Sequence, residues 1–250
     1  MKIAMNMLLI WVAGMSLAFS VAEGQPSKAT AVDCLEQLNR TYLQASSYAT
    51  EVHLHLYKAE EPTKPAVERN GWVKKQGLHY LIEFGGRTTL ANSQCMMLAD
   101  HGHKTIVFKA LEKNQQPPMD VAEQLAKLPG LDEVEGQWLV NSNTEKRFRI
   151  VPESGEYSSY ELSIDPKNWT LKGMSFQFRT DPSNPFERME VRYENTQLNQ
   201  RISKDTFSTK AYVVVRKGEP QLTPQYANYR LVNPKTTLLQ LTESPESSKQ

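Results

Sequence analysis

From Tyr48 onward the chain alternates between short runs with a period of two and clusters of turn-forming residues, and this constrains the fold most. In the first run Val52, Leu54 and Leu56 share one face, while Glu51, His53, His55 and Tyr57 share the other. Successive side chains of a strand point to opposite sides, so this is the pattern of a half-buried strand. Similar runs follow at residues 67–75, 78–84, 87–93, 95–99 and 104–110. Gly77, Gly85-Gly86 and Asp100-His101-Gly102 divide them as hairpin turns. The pattern resumes at 137–141, 146–151, 159–164, 169–179 and 188–193, with a last run at 212–215. Within 169–179 the apolar parity changes across Gly173, which predicts a bulge. Many short strands joined by tight turns predict an antiparallel meander, not a βαβ fold.

Two segments carry helical spacing instead. Val32, Leu35, Leu38 and Tyr42 make one apolar face over residues 30–46, ended by Ser46-Ser47. Residues 119–128 read as a second helix, set between Pro117-Pro118 and Pro129-Gly130. The fold class is therefore mostly β: a curved antiparallel sheet forming an incomplete, half-open β-barrel covered by short α-helices. A curved sheet needs its inner face covered, by its own side chains or by helices. Two short helices cover little of about eleven strands, which leaves room for a cavity between sheet and helices.

The N-terminus has the three parts of a secretory signal peptide. Lys2 is followed by an uncharged apolar run over residues 5–19, and Ser20-Val21-Ala22 offers small residues for cleavage before Glu23. The run falls short of the roughly 20 apolar residues that span a bilayer. The expectation is export across the inner membrane, cleavage near Ala22 and a periplasmic product. Residues 23–216 then form one domain, and 217–250 an extended C-terminal segment whose end, 243–250, is expected to be disordered. Losing residues 1–22 removes Lys2 and no acid, leaving 28 basic and 28 acidic residues. That balance gives no support to nucleic-acid binding, whose affinity comes from phosphate neutralisation. Two cysteines remain, Cys34 and Cys95. In an oxidising compartment they pair as a disulfide, or else stand as two separately buried thiols.

At Gly71-Trp72-Val73-Lys74-Lys75, followed by Leu78-His79-Tyr80, the sequence resembles the periplasmic outer-membrane lipoprotein carrier (LolA-like) family. That family shows Gly, then Trp-Val-Lys-Arg-Pro, then an apolar-aromatic strand. The run from Met97 to Phe108 is similar to the family's next hairpin, and the order of segments agrees. The resemblance implies a divergent member: an incomplete barrel lidded by helices that carries acyl chains of lipoproteins in an apolar cavity. It further implies lipoprotein acyl chains or another lipid-like ligand as partner, donor and acceptor proteins at the inner and outer membranes, and a monomer without cofactor. The family's functional Arg falls on Lys75 and the next Pro on Gln76, and Lys lacks the planar guanidinium fork.

The residues for such a cavity are Leu54, Leu56, Val73, Lys75, Tyr80, Phe84, Phe108, Phe148, Phe176 and Phe178. The same side chains also suit an ordinary packed core. If Lys75 points inward, so does Val73, while Trp72 and Lys74 point outward. The histidines His53, His55, His79, His101 and His103 read as solvated or turn residues, so no metal site is expected. No nucleophile elbow, His-Glu-x-x-His or glycine-rich phosphate loop occurs, and an enzyme is not expected. The expected function is a periplasmic carrier of lipid or acyl groups. The alternative is a non-catalytic sensor or scaffold with a filled carrier-like interior.

Overall fold

A computed structural model describes residues 31–111, 137–181 and 183–233. Among them one α-helix, α1 (Ala31–Gln44), precedes a sheet of twelve strands. In chain order these are β1 (Ser47–Tyr57), β2 (Val67–Gln76), β3 (His79–Phe84), β4 (Arg87–Ala91), β5 (Cys95–Asp100) and β6 (Thr105–Ala110). Then come β7 (Gln137–Asn141), β8 (Lys146–Ile150), β9 (Tyr157–Asp165), β10 (Thr170–Phe178) and β11 (Arg188–Leu198). A separate hairpin, β12 (Val213–Arg216) with β13 (Glu219–Leu222), precedes β14 (Arg230–Val232). The expected helix at 119–128 and the expected signal peptide lie outside the described residues.

The spatial order is β14-β6-β5-β4-β3-β2-β1-β11-β10-β9-β8-β7. The sheet is curved and does not close, as expected. Consecutive hairpins account for each half. The join is β1 against β11, antiparallel, with Leu54 opposite Val191 and Leu56 opposite Met189. The β3–β4 turn uses Gly85 and Gly86 at φ of 58° and 80°, where a side chain is disfavoured and a tight hairpin needs both residues left-handed. The bulge at Gly173 is present as a register shift between Leu171 and Gly173 against β9. One pair departs from the antiparallel rule: β14 runs parallel to β6, with Leu231 opposite Ile106.

The sheet has two apolar faces. The concave one gathers Val52, Leu54, Leu56, Val73, Tyr80, Phe84, Phe148, Leu162, Phe176 and Val191 into a single cluster. Helix α1 adds Cys34, Leu35 and Leu38 to it, and the Tyr42 hydroxyl accepts from the Leu171 amide at 3.3 Å. The second cluster lies on the convex face of β3–β6, where Leu81, Leu90, Cys95, Met97, Ile106 and Phe108 meet Phe207 and Val213. Residues 203–233 thus form a strap across that half of the sheet. Asn92 ties it down by donating Nδ2 to the Phe207 carbonyl at 2.9 Å, and β14 covers the exposed edge of β6.

The strap also corrects the expected disulfide. Cys34 and Cys95 are both buried and free. Cys34 belongs to the concave cluster and Cys95 to the convex one, so the sheet stands between them. Cys95 instead lies 3.5 Å from Asn92 Oδ1 and 3.7 Å from Thr209 Oγ1. Burial raises both thiol pKa values, most of all through lost hydration of the thiolate. Both cysteines should resist a thiol reagent in the native protein and react fully in denaturant without any reductant. Labelling that needs a reductant would restore the bridge.

Candidate ligand-binding site

Strand pairing decides which side chains share the concave face, since directly opposite residues point the same way. On β1 the inward positions are Tyr48, Thr50, Val52, Leu54 and Leu56, and on β2 they are Val67, Arg69, Gly71, Val73 and Lys75. Trp72 is exposed on the other side, with Lys74 Nζ 5.6 Å from its ring centre. Lys75 stands between Tyr48 on β1 and Tyr80 on β3.

The inward surface opens into a cavity of about 410 Å³ where the end of β1 meets the start of β2. Its floor is Leu54, Leu56, Val67 and Phe84, with Phe178 and Phe186 as the facing wall. Arg69 reaches into it, and Glu156, Arg179 and Asp181 stand at its rim. The Arg179 guanidinium is held in place, donating to the Gly155 carbonyl at 3.1 Å and the Pro152 carbonyl at 2.7 Å. Asp181 accepts from the Ser183 amide and hydroxyl, each at 2.8 Å, which lowers its pKa.

Of the ten expected cavity residues, four line this space: Leu54, Leu56, Phe84 and Phe178. Val73, Tyr80, Phe148 and Phe176 lie in the same concave cluster but are packed, Phe176 against Tyr157 and Tyr160 and Phe148 against Trp138. Lys75 shares their face. Phe108 is on the convex face under the strap, because β6 turns its even positions outward. The sequence reading missed Val67 and Arg69, although both have the parity of Val73 and Lys75. It also missed Pro185 and Phe186, which reach the cavity only because the β10–β11 loop folds over its mouth.

Polar atoms stud the otherwise apolar interior. The hydroxyls of Tyr48, Tyr80, Tyr160 and Tyr193 and the Asn39 Oδ1 are buried and find no hydrogen-bond partner among the described residues. Lost hydration pushes the Tyr42 and Tyr160 phenols up to about 12 and raises those of Tyr48, Tyr80, Tyr157 and Tyr193 as well. The folded state therefore holds these protons when the unfolded chain, near 10, has released them. That contribution is complete below pH 10 and is lost as pH rises to 12. In an alkaline titration the tyrosinate absorbance of this set should rise only together with loss of the β-sheet circular dichroism. Ionisation near pH 10 with the sheet intact would contradict the burial.

The convex face of the other half-sheet is charged instead. Arg188 and Arg192 both pair with Glu190, at 3.0 and 3.2 Å. There His53 Nε2 lies 3.8 Å from a carboxylate oxygen of Glu51 and of Glu194. Glu194 is far away in sequence, and only the β1–β11 pairing brings it to His53.

No protein-family model matches the chain, and no curated protein does. Solved structures with a similar arrangement include an uncharacterised conserved protein from Thermus thermophilus, 11% identical. The match covers 82% of this chain and 99% of that one, with a TM-score of 0.46. A LolA superfamily protein from Nitrosomonas europaea is 12% identical over 73% of this chain and 99% of its own, with a TM-score of 0.33. The Pseudomonas aeruginosa MucA/MucB complex contains a chain 14% identical over 77% of this chain and 63% of its own, with a TM-score of 0.36.

Proposed function

We propose that this protein is a periplasmic carrier that binds lipid-like apolar groups, the acyl groups of lipoproteins or similar ligands, in the concave side of its open sheet. The observation that supports it most is the cavity of about 410 Å³ floored by Leu54, Leu56, Val67 and Phe84. Its size and its few charged groups at the rim are those of ligand sites rather than packing defects. Affinity would come from removing methylenes from water, about 0.8 kcal/mol each. No covalent chemistry is part of this reading, and its partners are membrane-bound donors and acceptors of the ligand. The sequence of the first 22 residues and the resemblance around Lys75 favour the periplasm and a monomer.

A second reading, a sensor or scaffold with a filled interior, is favoured by the tight packing of Val73, Tyr80, Phe148 and Phe176. Binding of an apolar fluorescent dye separates the two. The carrier reading expects saturable dye binding, and expects Leu56→Trp, which fills the cavity floor, to weaken it at least tenfold with the fold retained. A wild-type protein that leaves the dye unbound would favour the scaffold.

A further inference from the structure

The seam where the two halves of the sheet meet carries unbalanced charge on its convex face. Glu51 on β1 stands directly opposite Glu194 on β11. Like charges so placed repel each other and weaken the pairing. Among the described residues neither carboxylate has a Lys or Arg within ion-pair distance. Arg192, opposite His53, pairs with Glu190 instead, at 3.2 Å.

The group that faces both glutamates is His53, on the same side of β1 as Glu51. Its Nε2 lies 3.8 Å from Glu51 Oε2 and 3.8 Å from Glu194 Oε2. Neither oxygen is within hydrogen-bond reach at that distance. The nitrogen is shut off from solvent and has no hydrogen-bond partner among the described residues. A bulge sets the position of Glu194. Two residues of β11, Asn195 and Thr196, oppose the single Thr50 of β1, and Asn195 takes a left-handed φ of 53°. The Thr50 hydroxyl holds the bulge, 3.1 Å from the Glu194 carbonyl oxygen and 2.8 Å from the Thr196 hydroxyl. Asn195 Nδ2 donates to Glu51 Oε2 at 3.1 Å and orients the other carboxylate, as outer partners of metal ligands do.

We infer that Glu51, His53 and Glu194 form a site for a divalent transition-metal ion, with zinc the best match. An imidazole nitrogen and two carboxylate oxygens are zinc ligands, and water completes such a shell. The three ligand atoms lie within 4.8 Å of one another. With zinc about 2.0–2.2 Å from each, they stand roughly 3.3–3.6 Å apart, so small side-chain rotations close the shell. Glu194 is exposed, which leaves the ion a path from solvent. Magnesium and calcium prefer shells of oxygen alone, and the imidazole selects against them. The ion cancels the repulsion and ties β1 to β11 across the seam. Nothing in this site depends on the carrier reading.

The test titrates the metal-stripped protein with zinc chloride by calorimetry and follows thermal unfolding in parallel. One zinc per chain should bind and raise the unfolding temperature, and magnesium or calcium should do neither. Glu194→Gln removes a ligand and the repulsion together. Its zinc affinity should fall at least about tenfold, while without metal it unfolds at the same or a higher temperature than the wild type. His53→Gln should lose zinc to a similar extent. His103 Nδ1 lies 3.1 Å from Asp100 in a separate group, and His103→Gln should leave zinc binding unchanged. The inference is overturned if the wild-type protein shows no saturable zinc binding. It is equally overturned if Glu194→Gln or His53→Gln binds zinc as the wild type does, or if His103→Gln abolishes binding.

Discussion

A chain ending at Ile202 should aggregate, because the strap it lacks is the only described cover of a second apolar face. Without residues 203–233 the outer sides of Leu81, Leu90, Met97, Ile106 and Phe108 lose their partners Phe207 and Val213. Burying Phe207 and Val213 alone contributes about 3–6 kcal/mol, against a typical total stability of about 5–15 kcal/mol. The truncation also strips β14 from β6 and leaves a sheet edge open to pairing with another molecule. The expected result is aggregation, read by size-exclusion chromatography and light scattering. Phe207→Ala in the full chain isolates the packing part. It is 2% exposed, lies on the His79 ring at 5.7 Å, and should cost about 3–5 kcal/mol in urea unfolding. A truncated chain that stays monomeric with an unchanged unfolding midpoint would show that the strap is dispensable.

Gly71→Ala should be nearly as damaging, for a steric reason. A Cβ at Gly71 would sit 1.9 Å from the Glu83 carbonyl oxygen and 2.8 Å from the Phe84 Cα. Both are backbone atoms of β3, so no side-chain rotation relieves the clash, and the β2–β3 pairing at Gly71–Phe84 must open. Overpacking of this kind costs about 1–3 kcal/mol, and here the upper end or beyond is expected. The displaced Phe84 also belongs to the cavity floor, so dye binding should weaken together with stability. Gly173→Ala is the internal comparison. Its Cβ would meet the Val191 carbonyl oxygen at 3.1 Å and the Arg192 Cα at 4.0 Å, neither below 3.0 Å, and should cost less. Equal effects of the two substitutions would refute the steric account.

These two cases differ in how far they could be read beforehand. Gly71 was visible as the first residue of a motif, yet its steric role depends on how closely β3 approaches β2, and sequence carries no such distance. The strap was barely visible. Residues 217–235 look loose because their prolines and tyrosines follow no period. Yet Tyr212, Tyr226 and Tyr229 pack around His101, whose Nδ1 lies 3.1 Å from the Tyr229 hydroxyl. An irregular segment that is held by contacts to a distant surface leaves no local pattern to find.

What the sequence determined by itself was set by local rules. A period of two fixed the strands and their inward sets, so that Leu54, Leu56, Val73 and Lys75 share one face, and the parity change at Gly173 marked the bulge. Turn residues placed the hairpins, and helical spacing placed α1. What only the tertiary structure decided depends on which distant strands pair. A strand of period two says which residues share a face but not which of two apolar faces meets which cover. Phe108 therefore lies under the strap while Phe84 lines the cavity, and Cys34 and Cys95 end on opposite sides of the sheet. The pairing of β1 with β11 and the fold of the 183–186 loop bring Phe186 and Arg179 to Arg69 and Leu56. The cavity exists because those non-local contacts bring its lining together, and no run of neighbouring residues encodes that arrangement.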